Sequence, residues 1–452
     1  MDDNIDFLDY LNNTLGSYDP YSLRILVNKT YSESKKTSPG IYSLNQRDCV
    51  TLFHEFIHQL QNTSSIIGFR QFDCIVSMWQ NTRNLKFNID DELSDNYRKK
   101  TLQTLKKYAY HKNDTPQKSG LLDVFEIERL DDIQKQIFTD DAIKIHYSYN
   151  SSHFYFVFGI GEFYESCAHI LEEYFCKKIN FHNKIFEANS IPYKTGESIA
   201  NNIAPNCSNL RLIILMLTAL QHSSPHQMFI FLMFSYGKEQ CDDEVIKEIC
   251  QKHVEELISI NDNWIKETRN IIDRGFPIDD PYLGDVIKSF NSSINKNLYN
   301  RKSAPFLELD FLIEINETNY KNKLEDLIKI SGGSIIYTTD QSRPSSDEIE
   351  NIVIGDHQSI YHNHTGWLTF ITSILLTKKT QSIIDATILK KEEIYKCPAY
   401  FYCEHKNKKN NVSYCEKEPY KHPQALEGND NCAHQLAIYK TDLRNYYSKG
   451  NI

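Results

Sequence analysis

The chain of 452 residues lacks a long run of apolar residues. The longest runs, residues 212–220 and 228–234, are each too short to cross a bilayer, because a membrane-spanning helix needs about 20 apolar residues. Residues 1–6 are acidic, whereas a signal peptide begins with basic residues and continues with apolar ones. We therefore expect a cytoplasmic protein without membrane insertion, whose 11 cysteines are mostly reduced or metal-bound.

The chain also lacks an excess of positive charge. Its 50 Lys and Arg residues stand against 60 Asp and Glu residues, which gives a formal net charge of −10. Nucleic-acid-binding proteins usually carry the opposite sign, so we expect no nucleic-acid partner. The hydrophobic content of 40% is ordinary for a globular protein, and the length allows two or three domains.

Residues 54–58 read His-Glu-Phe-Ile-His and form an HExxH motif. On an α-helix, His54 and His58 lie one turn apart on the same face, so both imidazole rings can reach one metal ion. Glu55 lies next to that face and can hold a water molecule that the metal polarises. The motif therefore predicts a metal site with a catalytic base.

The flanks of the motif predict where its helix begins and ends. Ser43 and Gln46 have the spacing of a capping box, and Asn45 and Asp48 are further candidates for the N-terminal cap. Polar residues 62–65 predict the end of the helix. An apolar stripe at helical spacing consists of Cys49, Phe53, Phe56, Ile57 and Leu60. The alternative to a metal site is a core helix with two hydrogen-bonded histidines.

A catalytic zinc needs a third protein ligand and an open position for water. A third histidine soon after His58 would give the long form of the motif, but residues 59–68 contain no histidine. A di-iron carboxylate site would need a second Glu-x-x-His sequence. Of the 16 histidines, only His58 has a glutamate three residues before it. A glutamate on a second helix remains as the candidate.

Residues 161–173 are the best candidate for that second helix. A polar stripe interrupts an otherwise broad apolar face and consists of Glu162, Glu165, His169 and Glu172. HExxH followed at a distance by ExxA resembles the gluzincin class of zinc metallopeptidases. The resemblance implies that Glu165 is the third ligand and that His169 stands where the family has an aspartate that orients a ligand histidine. Glu162 and Glu92 are the alternatives, and the glutamates of the stripe could also form a solvated face.

The predicted fold class is α+β and predominantly α-helical. It comprises a zincin-like metallopeptidase core with a small sheet, a helical C-terminal half and a Cys-rich tail. We expect strands at residues 23–27, 142–149 and 153–158, with the first beside the substrate cleft by analogy with the family. Helices are predicted at residues 91–110, 123–138, 244–260, 264–274, 307–330 and 366–389, and a linker at 338–347. The predicted domains are 1–240 (metallopeptidase core), 241–385 (helical region) and 386–452 (Cys-rich module).

The Cys-rich module holds four of the cysteines: Cys397, Cys403, Cys415 and Cys432. The segment is loop-rich and poor in apolar residues, so a structural zinc would account for its folding. Nearby histidines that could replace one thiolate are His405, His422 and His434. The spacings contain no CxxC, so unlinked cysteines or disulfides are the alternatives to a second, structural zinc.

Other histidines predict no metal site. His222 and His226 have the same spacing as the HExxH histidines, but Pro225 interrupts the helix between them. His357, His362 and His364 cluster without an acidic partner at ligand spacing. The resemblance also implies a His or Tyr that stabilises the transition state, and the 28 tyrosines leave that choice open.

These patterns predict a zinc-dependent metallopeptidase that hydrolyses peptide bonds in a specific protein substrate. His54, His58 and Glu165 would bind the catalytic zinc, and Glu55 would act as the base. Such an enzyme needs narrow specificity or a regulatory protein partner, as in a stress, anti-phage defence or toxin-like effector. The alternative is a non-catalytic zincin-like scaffold with a metal-binding C-terminal module, which His169 in place of an acid favours.

Overall fold

The computed structural model describes residues 15–19, 24–29, 40–74, 111, 119–139, 141–181, 189–275, 284–340 and 350–355. The chain divides into two compact units, of which the first comprises residues 1–71, 106–264 and 293–356. The second unit comprises residues 72–105, 265–292 and 357–452. Its described residues, 72–74, 265–275 and 284–292, are all helical. Every described strand belongs to the first unit.

The first sheet has four strands in the order β1-β2-β6-β7. The strands are β1 (Gly16–Asp19), β2 (Arg24–Lys29), β6 (Ser334–Asp340) and β7 (Glu350–Ile354). The central pair, β2 and β6, is parallel and places Ile25 opposite Ile336, whereas the two outer pairs are antiparallel. Each central strand contains a continuous apolar run, residues 25–27 and 335–337, that is buried on both faces, as is usual for parallel pairs.

The second sheet is an antiparallel meander of β3 (Asp123–Ile127), β4 (Ile143–Tyr149) and β5 (Ser152–Phe158). Alternate residues of β4 face the core, because successive side chains of a strand point to opposite faces. Asn150 and Ser151 connect β4 to β5 with φ angles of 48° and 60°, the left-handed conformation of a tight hairpin turn. The hairpin leads directly into the helix that carries Glu165.

Ten helices of the described residues are labelled in chain order. They are α1 (Gln46–Thr63), α2 (Leu130–Gln134), α3 (Ile160–Lys178), α4 (Thr195–Ile203), α5 (Asn209–Ala219), α6 (Pro225–Tyr236), α7 (Asp243–Gly275), α8 (Gly284–Ser303), α9 (Leu307–Glu314) and α10 (Tyr320–Ile330). A short 3-10 turn, Gly40–Ser43, precedes α1. None of the helices in the described ranges is long and apolar enough to span a bilayer.

Helix α1 lies at the centre of the first unit, between the first sheet and α3. Phe53 of α1 stacks on Phe175 of α3 with ring centroids 4.6 Å apart, and on Phe311 of α9 at 5.4 Å. At its C-terminal end, Gln59 donates to the carbonyl oxygen of Gly333 and accepts from the hydroxyl of Ser334. These contacts fix α1 against both neighbours, so the side chains between α1 and α3 have defined positions.

The structure confirms the coarse fold class and several of the predicted elements. It is α+β and mostly helical, with strands where residues 23–27, 142–149 and 153–158 predicted them. The predicted helices at residues 244–260 and 264–274 both lie in α7. The predicted helices at 91–110 and 366–389 lie outside the described residues, and the division into three domains stays a prediction.

Three predicted elements are wrong. Residues 123–138 form β3 and the short α2 instead of one helix. A register shift between Val124 and Glu126 interrupts the alternation of inward and outward residues, so the sequence pattern did not indicate a strand. The predicted helix at 307–330 is interrupted after α9, where Asn316 accepts from the backbone N–H groups of Thr318 and Asn319. Residues 338–340 of the predicted linker belong to β6, since they pair with β2.

Candidate metal centre

Helix α1 positions the HExxH motif. Its N-terminal cap is Asn45, whose side-chain oxygen accepts from the backbone N–H of Asp48 at 2.8 Å. The capping box predicted from Ser43 and Gln46 does not form, since both side chains donate to carbonyl groups elsewhere. The helix ends at Thr63 as predicted. Every residue of the predicted apolar stripe is buried, which turns the histidine face towards α3.

Helix α3 carries Glu165 and begins after Gly159. Glu162 caps this helix, because one of its carboxylate oxygens accepts from the backbone N–H of Gly159 at 3.0 Å. The other oxygen accepts from the backbone N–H of His111 at 2.6 Å. Glu162 therefore serves as a cap, and its carboxylate faces Gly159 and His111 rather than the histidine pair of α1. Glu92, the remaining alternative, lies outside the described residues.

Three side-chain groups converge between α1 and α3. The Nε2 atoms of His54 and His58 are 3.2 Å apart. The carboxylate oxygens of Glu165 lie 3.3 Å from Nε2 of His54 and 3.1 Å from Nε2 of His58. A tetrahedral ion with bonds of about 2.0–2.1 Å places its ligand atoms about 3.3 Å apart. One carboxylate oxygen of Glu165 faces each ring at close to this distance, so the three residues could hold a metal ion.

Hydrogen bonds at the far side of each ring set the histidine tautomers. Nδ1 of His54 lies 2.7 Å from a carboxylate oxygen of Glu172, which can only accept. The amide nitrogen of Gln61 donates to the carbonyl oxygen of Tyr164, which leaves the amide oxygen facing Nδ1 of His58 at 2.8 Å. Both Nδ1 atoms therefore donate, so in the neutral rings both Nε2 lone pairs face Glu165 and each other. A cation between them would stabilise this arrangement.

The site is shielded, and two carboxylates lie beside the pair of histidines. The side chains of His54, His58 and Glu165 are 11%, 12% and 9% exposed, so the centre is largely shielded from solvent. Although burial alone raises it, the two histidines hold the pKa of Glu165 well below its usual value. Burial alone would also raise the pKa of Glu172. The charge of His54 and contacts with nearby histidines outweigh this effect and lower that pKa to about 2. Two ionised carboxylates thus surround the pair of imidazoles.

Glu55 is buried beside the same centre. Burial raises the pKa of the Glu55 carboxyl to about 7, while His54 and His58 act in the opposite direction. Strand β1 lies directly against this residue. A β-carbon added at Gly16 would come within 2.6 Å of the Thr51 side chain and 3.0 Å of Cγ of Glu55. A carboxyl group with a pKa near neutrality can both accept and deliver a proton.

His169 forms no hydrogen bond or ion pair with His54 or His58, and the expectation that it stands where the family has an orienting acid stays a prediction. Its Nδ1 lies 3.5 Å from Glu172 and its Nε2 lies 3.3 Å from Glu173. Glu172 contacts His54 instead. Seven residues separate Glu172 from Glu165, which is two helical turns, so both face α1. Glu172 belongs to the polar stripe seen in the sequence. Its position seven residues after Glu165 is the sequence signal that could have predicted its contact with α1.

Sequence reasoning missed two further residues at the site. Gln61 follows His58 by three residues on the same helix, so its position on the histidine face was the available signal. Tyr193 comes from the turn before α4, and its ring centroid is 6.3 Å from that of His54 and 5.6 Å from that of His169. No local pattern distinguishes Tyr193 from the other tyrosines, because only the fold brings it to the site.

The predicted structural zinc site of Cys397, Cys403, Cys415 and Cys432 lies outside the described residues and stays a prediction. The part of the chain that the structure describes contains no disulfide bond.

No family model, curated protein or solved structure matches this chain. What the site does must therefore follow from its own residues and their geometry.

Proposed function

We propose that this protein is a zinc-dependent metallopeptidase of the gluzincin type, with His54, His58 and Glu165 as the zinc ligands. The observation that carries the proposal is the convergence of two Nε2 atoms and one carboxylate, 3.1–3.3 Å apart, beside the buried Glu55. Two imidazoles and one carboxylate are a donor set that suits zinc and leaves a position open for water or substrate.

Several residues around the centre have distinct roles in the proposed hydrolysis. Zinc bound at this centre would lower the pKa of a water molecule towards neutrality and polarise the scissile carbonyl group. Glu55 accepts a proton from the attacking water and then delivers it to the leaving amine. Glu172 and Gln61 accept from the Nδ1 atoms of the two histidines and so keep both Nε2 lone pairs directed at the centre.

The position of β1 supports an extended peptide as substrate. β1 pairs with β2 on one side, and no described strand lies on its other side. An extended peptide can add to such an edge through main-chain hydrogen bonds. Because Gly16 of β1 packs against Glu55, a peptide on this edge would bring its backbone close to the base. We therefore propose a protein or peptide substrate.

Two substitutions test the assignment. We expect Glu55→Gln to retain zinc and to lose turnover by about 10²–10⁴-fold, because the amide cannot take a proton from water. We expect His58→Ala to lose both zinc and turnover. His153→Ala is the matched control, since His153 is an exposed histidine of β5. Peptide cleavage measured by mass spectrometry on a proteome-derived library reports turnover, and full turnover in Glu55→Gln refutes the assignment.

The alternative function, a non-catalytic scaffold, depends on the absence of an acid at position 169. Glu172 supplies a carboxylate to His54, so that argument loses its force. A scaffold also has no need of a base at position 55. The Glu55→Gln variant separates the two functions, because a scaffold would keep its biological activity in that variant.

We propose a cytoplasmic enzyme that is restrained by narrow specificity or by a regulatory protein partner, as expected for a stress, anti-phage defence or toxin-like effector. Incubation of the purified protein with casein tests this idea. Broad degradation of casein in the absence of any partner would contradict it.

A further inference from the structure

A chain of alternating charges extends from the metal centre towards the surface. Glu172, which accepts from His54, is followed by His169, Glu173 and Lys194. His169 lies 3.5 Å from Glu172 and 3.3 Å from Glu173, and Nζ of Lys194 donates to Glu173 at 2.9 Å. The exposed fraction of the side chain is 7% at His169 and 21% at Lys194, so the chain begins in the interior and ends near solvent.

The local structure explains why these residues meet. His169 precedes Glu172 and Glu173 by three and four residues on α3, so its ring faces both carboxylates across one helical turn. Lys194 comes from a different segment, the turn before α4. The neighbouring Tyr193 packs its ring against both His54 and His169. The turn thus covers the same side of α3 with an aromatic ring and closes the charge chain with an ammonium group.

His169 lies between two carboxylates, a position that favours a positive charge on its ring. Although burial alone lowers it, the nearby carboxylates of Glu172 and Glu173 raise the pKa of His169 to about 9. A protonated imidazole has an N–H group on the side of each carboxylate, at ion-pair distance, although Nε2 does not meet Glu173 in hydrogen-bond geometry. The same oxygen of Glu172 faces both Nδ1 of His54 and Nδ1 of His169. Removal of His169 would leave the largely buried carboxylate of Glu172 with one partner fewer, free to turn away from His54.

We propose that His169 is a positioning residue of the metal centre, which holds Glu172 on His54 and is itself held by Glu173 and Lys194. The inference rests on the proposed metal site and extends it by one layer. His169 touches neither the ligand atoms nor a substrate, so it acts on the metal only through Glu172.

A matched pair of substitutions at this position tests the proposal. The amide nitrogen of asparagine lies close to the place of Nδ1 of histidine, and that of glutamine close to the place of Nε2. His169→Asn therefore keeps the donor to Glu172, whereas His169→Gln keeps only the donor to Glu173. We expect His169→Gln to weaken zinc binding by about tenfold, the lower end of the range for partners outside the ligand shell. We expect His169→Asn to weaken it distinctly less.

The measurement is the dissociation constant for zinc, obtained by competition with a chromophoric chelator, together with the visible spectrum of the cobalt-substituted protein. Equal losses in the two variants would overturn the proposal, because a general packing defect would affect both alike. Unchanged affinity in both would overturn it as well. If His169→Gln fails to fold, Lys194→Met carries the test, since zinc affinity equal to that of the wild type would then contradict the charge chain.

The same experiment separates this inference from the proposed function. A wild-type protein that binds no zinc would remove the metal site itself. A wild-type protein that binds zinc and cleaves peptides, with a His169→Gln variant of unchanged zinc affinity, would leave the peptidase proposal intact and remove only the role of His169.

Discussion

Two pairs of histidines with the same spacing lie in the first unit, and only one of them forms a candidate metal centre. In the first pair, His54 and His58, the Nδ1 atoms face acceptors and the Nε2 atoms converge with Glu165. Although burial alone lowers it, the nearby carboxylates raise the pKa of both rings above the usual value for histidine. These rings therefore lie in an environment that favours a positive charge, whether a proton or a metal ion supplies it.

The second pair, His222 and His226, lies in the opposite kind of environment. Nδ1 of His222 accepts from the backbone N–H of Ser224 at 3.1 Å, and its ring packs edge to face on Phe138. Burial lowers the pKa of His222 to about 4. Nε2 of His226 lies 3.0 Å from the carbonyl oxygen of Asp141, so it donates to the backbone. Spacing alone does not make a site, because the partners of each ring nitrogen decide what the histidine can bind.

The largest effect should follow when the first pair loses the carboxylate of Glu165, which faces both of its Nε2 atoms. We expect Glu165→Ala to weaken zinc binding by more than the roughly 100-fold that the loss of an outer partner costs, because a ligand atom itself is removed. The matched control is Glu162→Gln, one turn earlier on α3, which should retain zinc. Isothermal titration with zinc measures both. Retention of zinc affinity in Glu165→Ala, or equal losses in the two variants, would show that Glu165 is not a ligand.

A smaller effect should distinguish the two members of the first pair. His54 donates to a carboxylate and His58 to an amide oxygen, and hydrogen bonds to charged groups are about twice as strong as neutral ones. We expect Glu172→Ala to weaken zinc binding by about 10–100-fold and Gln61→Ala by less. Competition with a chelator gives both dissociation constants. The reverse order of the two losses would contradict the role assigned to Glu172.

The smallest effect concerns the second pair and appears in stability. Because the pKa of His222 is about 4 in the folded protein and near 6.5 when unfolded, the unfolded state binds the proton more readily. Folding stability is therefore lost as the pH falls from about 6.5 towards 4. We expect His222→Asn to reduce this loss by roughly 1–2 kcal/mol, allowing for the partial exposure of the ring. Urea unfolding at pH 7.5 and 5 measures it, and identical pH dependence in both proteins would contradict the assignment.

The sequence was sufficient to predict the inner part of the site. His54, Glu55 and His58 follow from local spacing on one helix. Glu165 follows from a polar stripe together with the resemblance to gluzincins, and the structure brings it to the histidines. These residues were accessible because helical periodicity is a local property, which a single sequence records directly.

The surrounding residues could not be predicted in the same way. Which acid on the α3 stripe meets His54 depends on how α1 and α3 lie against each other, and the structure selects Glu172 over His169. Tyr193 and Lys194 reach the site from another segment, so no spacing connects them to the motif. In the fold, the register shift in β3 concealed a strand whose pairing with β4 is a tertiary contact.

The most direct test of the central claim is the zinc content of the purified protein, measured beside His58→Ala and Cys415→Ser. We predict a zinc ion in the wild-type protein that is absent from His58→Ala and present in Cys415→Ser. A second zinc ion lost only in Cys415→Ser would support the predicted site in the C-terminal module. A zinc content that does not depend on His58 would contradict the metal centre between α1 and α3, and with it the proposal that this protein is a metallopeptidase.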